Sequence, residues 1–324
     1  MFDAVGGLWL ARSSDVDVVD RLTELKDSNN LRIGWKYYEA STENTELYDA
    51  TGRLQSITTR AGVVQTLTYE TSPPPGQEPR LLTVTDSFGR SLSFTYYPAT
   101  ATTGANNLAT VADHAGNTVS YTYDPNNNLA TVTYPGGQSK TYLYNEPAYT
   151  QGANLPNALT GIVDEHGTRF ATYQYDAQGR AISTEHAGGV EKYQLNYVSP
   201  YSQTLVTDPL GTQRTYNFQT ILGVVKTTGV DQPCPSCGGT QSQATTYDAN
   251  GNADSRTDFN GKKTCYAYDL SRNLETARVE GLTAADDCAT ALGMTQAQLT
   301  ATFARSDVRK VSTTWHASYR LPAT

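Results

Sequence analysis

The sequence predicts an all-β protein built as a repetitive strip of antiparallel β-hairpins. Three observations support this fold class. Tyr is the dominant aromatic residue, with 22 Tyr against 7 Phe, and Thr recurs beside it, which favours strands. Many of the 26 Gly residues follow Asp at the short spacing of tight turns. Segments long enough for two strands and two turns recur along most of the 324 residues.

The clearest repeats begin with the dipeptide Tyr-Asp. Each continues with two residues, Gly or Asn, a short alternating run, often a second Gly, and another alternating run that ends in aromatic-x-aromatic. The interval from Tyr247 to Tyr268 is 21 residues, which fits two strands and two turns. Degenerate copies begin at Val84, Val111, Ile162 and Val206. The signature residues of the repeat are Tyr48, Asp49, Gly52, Tyr123, Asp124, Tyr175, Asp176, Gly179, Tyr247, Asp248, Gly251, Tyr268 and Asp269.

The chemistry of the repeat is that of a hairpin. The Asp side chain can accept hydrogen bonds from backbone amides of the turn, and Gly tolerates positive φ. Aromatic residues two positions apart lie on one face of a strand, so neighbouring hairpins can align their rings across strands. Tyr in place of Phe predicts that one end of many rings reaches water or a polar partner. A β-propeller is the alternative architecture, but its blades need a period of about 40 to 45 residues.

The chain divides into four predicted segments: a lead-in over residues 1–30, the hairpin array over 31–282, a short helical insertion over 283–305 and a resumed strand-like segment over 306–324. Two capping patterns predict the helices, Thr283 with Asp286 and Thr295 with Gln298. Gly293 is expected to end the first helix.

The repeated strings "YDATGRL", "YDPNNNL", "YDAQGRA", "YDANGN" and "YDLSRNL" resemble the YD repeats of bacterial Rhs proteins, toxin-complex C components and teneurins. The resemblance extends from about Leu31 to Leu282. It implies a strip of hairpins that spirals into a hollow shell around a C-terminal toxin polypeptide. The family's D-P-x-G-L junction has no match after Leu282, and "DPLGT" at residues 208–212 is interpreted as a repeat turn.

The resemblance therefore predicts a non-enzymatic segment of a toxin-encapsulating shell, active in toxin delivery. Its implied partners are a toxin polypeptide encoded C-terminal to this segment, the remaining shell repeats and components of a secretion apparatus. The first residues lack the order of a signal peptide, so secretion to the extracellular space would use a specialised system. Two other functions remain open. One is an extracellular module whose exposed Tyr residues bind carbohydrate or cell-surface glycans, and the other is a structural filament that joins chains through open strand edges.

Composition and motifs exclude several other functions. The net charge of −8 provides no basic surface for phosphate backbones, so nucleic acid is not an expected partner. No apolar run approaches the roughly 20 residues that span a bilayer. His114 and His166 occupy turn positions and are expected to be solvated, as is His186 in another turn. Asp-rich turns lack the Glu that an EF-hand requires at its last position. No catalytic residue and no cofactor are predicted.

Four Cys residues leave one question open. Cys234 and Cys237, in "CPSC", suit a local disulfide, half of a zinc site or a redox pair. We favour structural bridges that join Cys234 to Cys237 and Cys265 to Cys288, formed outside the reducing cytosol. Zinc held by Cys234 and Cys237 is the less favoured alternative. A redox enzyme is least favoured, because no βαβ pattern surrounds the motif.

Overall fold

The computed structural model describes residues 2–5, 8–11, 19–73, 76–199 and 201–323, the first two ranges by backbone alone. Internal contacts divide the chain into two units. The first unit comprises Met1–Pro147 and Asn154–Phe170, and the second comprises Ala148–Ala153 and Ala171–Thr324. The predicted lead-in over residues 1–30 lies partly outside the described residues.

The first unit holds the strands numbered β1 to β14. In chain order they are Phe2–Val5, Leu8–Ala11, Arg21–Lys26, Arg32–Glu39, Asn44–Asp49, Leu54–Thr58, Val64–Tyr69, Leu81–Asp86, Ser91–Tyr96, Leu108–Asp113, Thr118–Tyr123, Leu129–Thr133, Ser139–Tyr144 and Leu159–Val163.

Strands β15 to β25 and two helices follow, almost entirely in the second unit. The strands are Arg169–Tyr175, Ala181–His186, Val190–Ser199, Gln203–Thr207, Gln213–Ile221, Val224–Cys234, Gly239–Tyr247, Ala253–Thr257, Lys262–Asp269, Leu274–Thr283 and Arg309–Ser312. The helices, α1 and α2, are Cys288–Gly293 and Gln296–Phe303, and single 3-10 turns cover Pro147–Tyr149, Ala187–Gly189 and Pro235–Cys237.

Within each unit, every strand pairs antiparallel with its neighbours in sequence. Strands β1 to β14 form one such series and β15 to β25 another. This uninterrupted pairing confirms the predicted all-β hairpin array, because propeller blades would break it every four strands. Among the described residues, no helix is long and apolar enough to cross a membrane.

One turn geometry recurs along the array. At Asp49, the carboxylate Oδ1 accepts the N–H groups of Thr51 (2.9 Å) and Arg53 (3.0 Å), and the Gly52 N–H donates to the Asp49 carbonyl (3.0 Å). Gly52 has φ of 90°, so the loop is a type I turn closed by a left-handed residue and a bulge. The same Asp contacts recur at Asp27, Asp86, Asp113, Asp124, Asp164, Asp176, Asp208, Asp248 and Asp258.

The main apolar core lies at the C-terminal end of the second unit. Helices α1 and α2 pack there on the last strands, and the cluster comprises Cys265, Val279, Leu282, Ala291, Leu299 and Val308. Helix α2 begins with the predicted capping box of Thr295 and Gln298. The predicted first cap was wrong: Asp287 caps α1 by accepting the Thr290 N–H, whereas Thr283 still belongs to β24.

Candidate functional site

Five tyrosines of the array anchor their own strand to the strand before it. In five copies a Tyr hydroxyl donates a hydrogen bond to a backbone carbonyl at the start of that strand, or just inside it. At all five sites the acceptor residue lies where the strand register shifts at a bulge, which leaves backbone groups outside the regular ladder. The pairs are Tyr69 to Leu54 (2.7 Å), Tyr96 to Leu81 (2.8 Å), Tyr123 to Leu108 (3.0 Å), Tyr197 to Ala181 (2.8 Å) and Tyr247 to Thr227 (2.7 Å).

Cationic side chains cover several of these rings. Arg53 and Arg180, which follow the Gly of their turns, lie 5.3 Å from the Tyr69 ring and 4.6 Å from the Tyr197 ring. Arg80 lies 4.8 Å from the Tyr96 ring in the same way. Such contacts stabilise the hairpin ends by roughly 0.5 to 1 kcal/mol each at exposed sites. The guanidinium covers one face of the ring, and that face is then not available to stack on a sugar.

The opposite face of β6 to β13 carries hydroxyl groups. Cross-strand pairs bring Oγ atoms within 2.6 Å at Thr68 and Thr83, at Thr95 and Thr110, and at Thr122 and Thr131. No charged residue shares this face in the described strands β6 to β13. We call it the hydroxyl face; strand register assigns to it Ser56, Thr66, Thr68, Thr83, Thr85, Ser91, Ser93, Thr95, Thr110, Thr118, Ser120, Thr122, Thr131, Thr133, Ser139 and Thr141.

The hydroxyl face was not predicted from the sequence, in which the aromatic residues form the more prominent pattern. The signal was present as Thr-x-Thr and Ser-x-Ser alternation in the same strands, for example "TLT" at residues 66–68 and "TVT" at 131–133. Because side chains alternate between faces, each aromatic run necessarily presents a second residue set on its other side.

Burial and hydrogen bonding shift the pKa values of several signature residues. Burial, followed by the hydrogen bond to the Glu46 carboxylate, raises the pKa of Tyr48 to about 12. Burial also raises the pKa of Tyr123 and Tyr175. The hydrogen bond from Thr51 lowers the pKa of Asp49, which keeps the turn carboxylate ionised. The fold therefore favours the neutral form of these Tyr side chains and the ionised form of Asp49.

The cysteines are paired in the structure. Cys234 joins Cys237 at the tip of the hairpin of β20 and β21, with Cα atoms 5.3 Å apart. Cys265 joins Cys288 across a separation of 23 residues, with Cα atoms 5.4 Å apart, and so ties α1 to β23. Among the described residues, no group of three or more His, Cys, Asp or Glu side chains could hold a metal ion.

The three turn histidines lie apart from one another along the array. His114 and His166 are exposed in the turns of Asp113 and Asp164. His186 lies at the end of β16, where its Nε2 is 3.3 Å from a Glu191 carboxylate oxygen. His114 and His166 thus belong to different turns of the first unit.

A chain of successive antiparallel hairpins, each closed by the same Asp turn, defines a hairpin-repeat protein. The RHS repeat family model matches residues 103–139, which include β10 to β12. Over this segment the match supports the resemblance to Rhs, or YD-repeat, proteins that the sequence shows.

Solved structures to which the chain is similar include a Tc holotoxin and TcdB2-TccC3. The chain is similar to the Photorhabdus luminescens Tc holotoxin pore, at 14% identity and a TM-score of 0.42, over 80% of this chain and 16% of that one. It is also similar to TcdB2-TccC3 without its hypervariable C-terminal region, at 14% identity and a TM-score of 0.44, over 93% of this chain and 17% of that one. The similarity to TcdB2-TccC3-Cdc42 has 12% identity and a TM-score of 0.44, and it covers 94% of this chain and 18% of that one. The chain thus spans about a sixth of their length, and no curated protein matches it.

Proposed function

We propose that this chain is a wall segment of an Rhs-type shell that confines and protects a toxin polypeptide until delivery to a competitor or host cell. The shell carries no catalytic activity of its own. Its partners are the remaining shell repeats, a polypeptide cargo encoded C-terminal to this segment and a secretion apparatus that exports the assembly.

The observation that carries the proposal is the uniformity of the repeat. An active site needs one unique constellation, whereas this chain repeats the same Asp turn and the same Tyr contact in both units. A repeated hairpin supplies surface area and mechanical continuity, which are the properties of a container.

The hydroxyl face adds a second support. It presents mostly short neutral side chains, so a confined polypeptide meets no strong charge there. Paired hydroxyl groups, such as Thr95 and Thr110, satisfy one another at 2.6 Å and can still accept hydrogen bonds from a ligand or from water. Such a surface can hold many cargo sequences without trapping one of them.

Protease protection tests the proposal in the full reading frame that contains this chain. A specific protease site is placed either in the polypeptide downstream of the repeats or, as a matched control, beside Gln77 in the exposed loop between β7 and β8. We expect cleavage at the Gln77 site and protection of the downstream site until the repeats are unfolded. Equal cleavage of both sites in the native protein would refute confinement.

Turnover assays test the absence of enzyme activity. His114→Ala and His166→Ala are expected to leave both protection and delivery unchanged, because both side chains are exposed in turns. A hydrolase or transferase activity that either substitution abolishes would contradict the container function.

A further inference from the structure

The second unit contains a polar cleft of about 500 Å³ on one face of β15 to β19. A row of side chains crosses these five strands in direct register, from Gln174 through Ser183, Gln194 and Thr207 to Gln213. Directly opposed residues share one face of a sheet, so this row forms a continuous line of amides and hydroxyls. Gln151 and Asn196 also line the cleft.

Ser183 is an unsatisfied polar group in this lining. The residue is only 5% exposed, and its Oγ is buried without a hydrogen-bond partner among the residues that the structure describes. A buried hydroxyl without a partner is destabilising, so native proteins rarely keep one. A ligand that hydrogen-bonds to Ser183 would supply the missing partner.

The cleft favours a neutral ligand. Its charged lining residues are Asp176 and Arg180, and they neutralise each other, with the Arg180 Nε 2.7 Å from an Asp176 carboxylate oxygen. Each Gln side chain offers both a carbonyl acceptor and two N–H donors. A matching ligand therefore alternates donors and acceptors and carries no net charge at the contact.

We propose that this cleft binds a short extended segment of polypeptide through its backbone amides, largely independently of sequence. This inference rests on the proposed shell function, in which the cleft is a place where the wall holds unfolded cargo. The row spans four strand intervals of about 4.8 Å, or roughly 19 Å, which matches about six extended residues. Backbone N–H and C=O groups present the neutral alternation that the Gln row can pair with.

A polypeptide fits the lining better than a saccharide does. Tyr197 is the only aromatic residue among the described lining residues. Its ring carries the Arg180 guanidinium at 4.6 Å, and its hydroxyl donates to the Ala181 carbonyl. The lining thus offers a row of amides and hydroxyls beside the aliphatic residues Ile182, Leu195 and Leu205, and its one ring already contacts Arg180.

The test is a nuclear magnetic resonance titration of the oxidised 324-residue chain with a capped, uncharged hexapeptide of Gly, Ser and Asn. We expect saturable shifts at Ser183, Gln194 and Gln213. An analogue with N-methylated backbone amides keeps the side chains but lacks the N–H donors, and it should bind at least several-fold more weakly. A neutral hexasaccharide serves as the competing ligand class.

Two substitutions locate the site. Ser183→Ala should weaken binding about three- to tenfold while thermal stability stays equal or rises, since it removes an unpaired hydroxyl. Gln194→Ala should also weaken binding, whereas Gln219→Ala, an exposed position outside the cleft, should not. A fall in stability with unchanged binding in Ser183→Ala would indicate a purely structural residue and overturn the proposal.

The remaining outcomes separate this site from the shell function. Binding of the hexasaccharide in place of the peptide, or of neither, overturns the cleft proposal even if the downstream cargo is protected from protease. Peptide binding without protection of that cargo supports the proposed peptide site in the cleft and refutes the proposed container function.

Discussion

At the scale of single residues, the Tyr hydroxyl is the group that distinguishes this repeat from a generic hairpin. Tyr123→Phe should lower the free energy of unfolding by about 0.5 to 1.5 kcal/mol, because it removes the hydrogen bond to the Leu108 carbonyl and leaves the ring in place. Urea denaturation measures the change. Tyr121→Phe, on the same strand and face, is the matched control and should change stability less. Equal effects of the two substitutions would show that the Leu108 contact contributes nothing.

The pKa of Tyr48 makes a second prediction at this scale. Burial and the Glu46 carboxylate raise its pKa from 10.0 to about 12 in the folded protein. A raised pKa means that the fold favours the neutral phenol, so this contribution is complete below pH 10 and is lost as pH rises to about 12. The free energy of unfolding should therefore fall over that interval, and Tyr48→Phe should make the fall shallower. Identical slopes for both proteins would contradict the burial of this hydroxyl.

The turn residues could be predicted from sequence because their chemistry is local. Asp49 contacts backbone amides two and four residues away, and Gly52 supplies the positive φ within the same loop. The tyrosine acceptors could not be predicted in this way. The Leu108 carbonyl lies fifteen residues before Tyr123, and its availability depends on a bulge between two strands. Composition indicated a polar partner but contained no information about which atom it is.

At the scale of elements, the helical insertion depends on one long-range bridge. The double substitution Cys265→Ser and Cys288→Ser should destabilise α1 and α2 by roughly 3 kcal/mol, the loop-closure effect expected for a sequence separation of 23. Hydrogen exchange should then accelerate in residues 288–303 before it does in β15 to β19.

The second disulfide is the control for that experiment. Cys234→Ser with Cys237→Ser opens a bridge with a separation of only 3, so the entropic effect should be smaller and confined to the tip of the hairpin. If this pair loosened α2 as much as the first pair did, the helices would not be held by the Cys265 bridge.

The elements also show where local patterns mislead. Thr283 with Asp286 matches a capping box as well as Thr295 with Gln298 does, yet only the second pair caps a helix. The Thr283 N–H instead donates to Asp286 at the end of β24, and Asp287 becomes the cap one residue later. Packing of Leu282 into the apolar cluster keeps residue 283 in the strand, which a three-residue motif does not reveal.

At the scale of the whole molecule, stability should be distributed along the repeats. Outside the C-terminal apolar cluster, most strand residues are only partly buried, and each strand contacts chiefly its two neighbours in sequence. Arrays of this kind behave as sums of local and nearest-neighbour terms. A local defect should therefore open the hairpins beside it and leave distant strands folded.

Thr131→Pro tests this expectation. Thr131 lies in the middle of β12, opposite Thr122 of β11 and Thr141 of β13. Proline removes its backbone N–H and fixes φ, so it should break pairing in a strand that has neighbours on both sides. Amide hydrogen exchange, read by mass spectrometry, should show lost protection in β11 to β13 and unchanged protection in β20 to β24. Thr131→Val keeps the N–H and the branched shape and should preserve both regions. Simultaneous loss of protection in both units would mean that the array unfolds as one cooperative body, and a container built from it would then fail as a whole at a single damaged repeat.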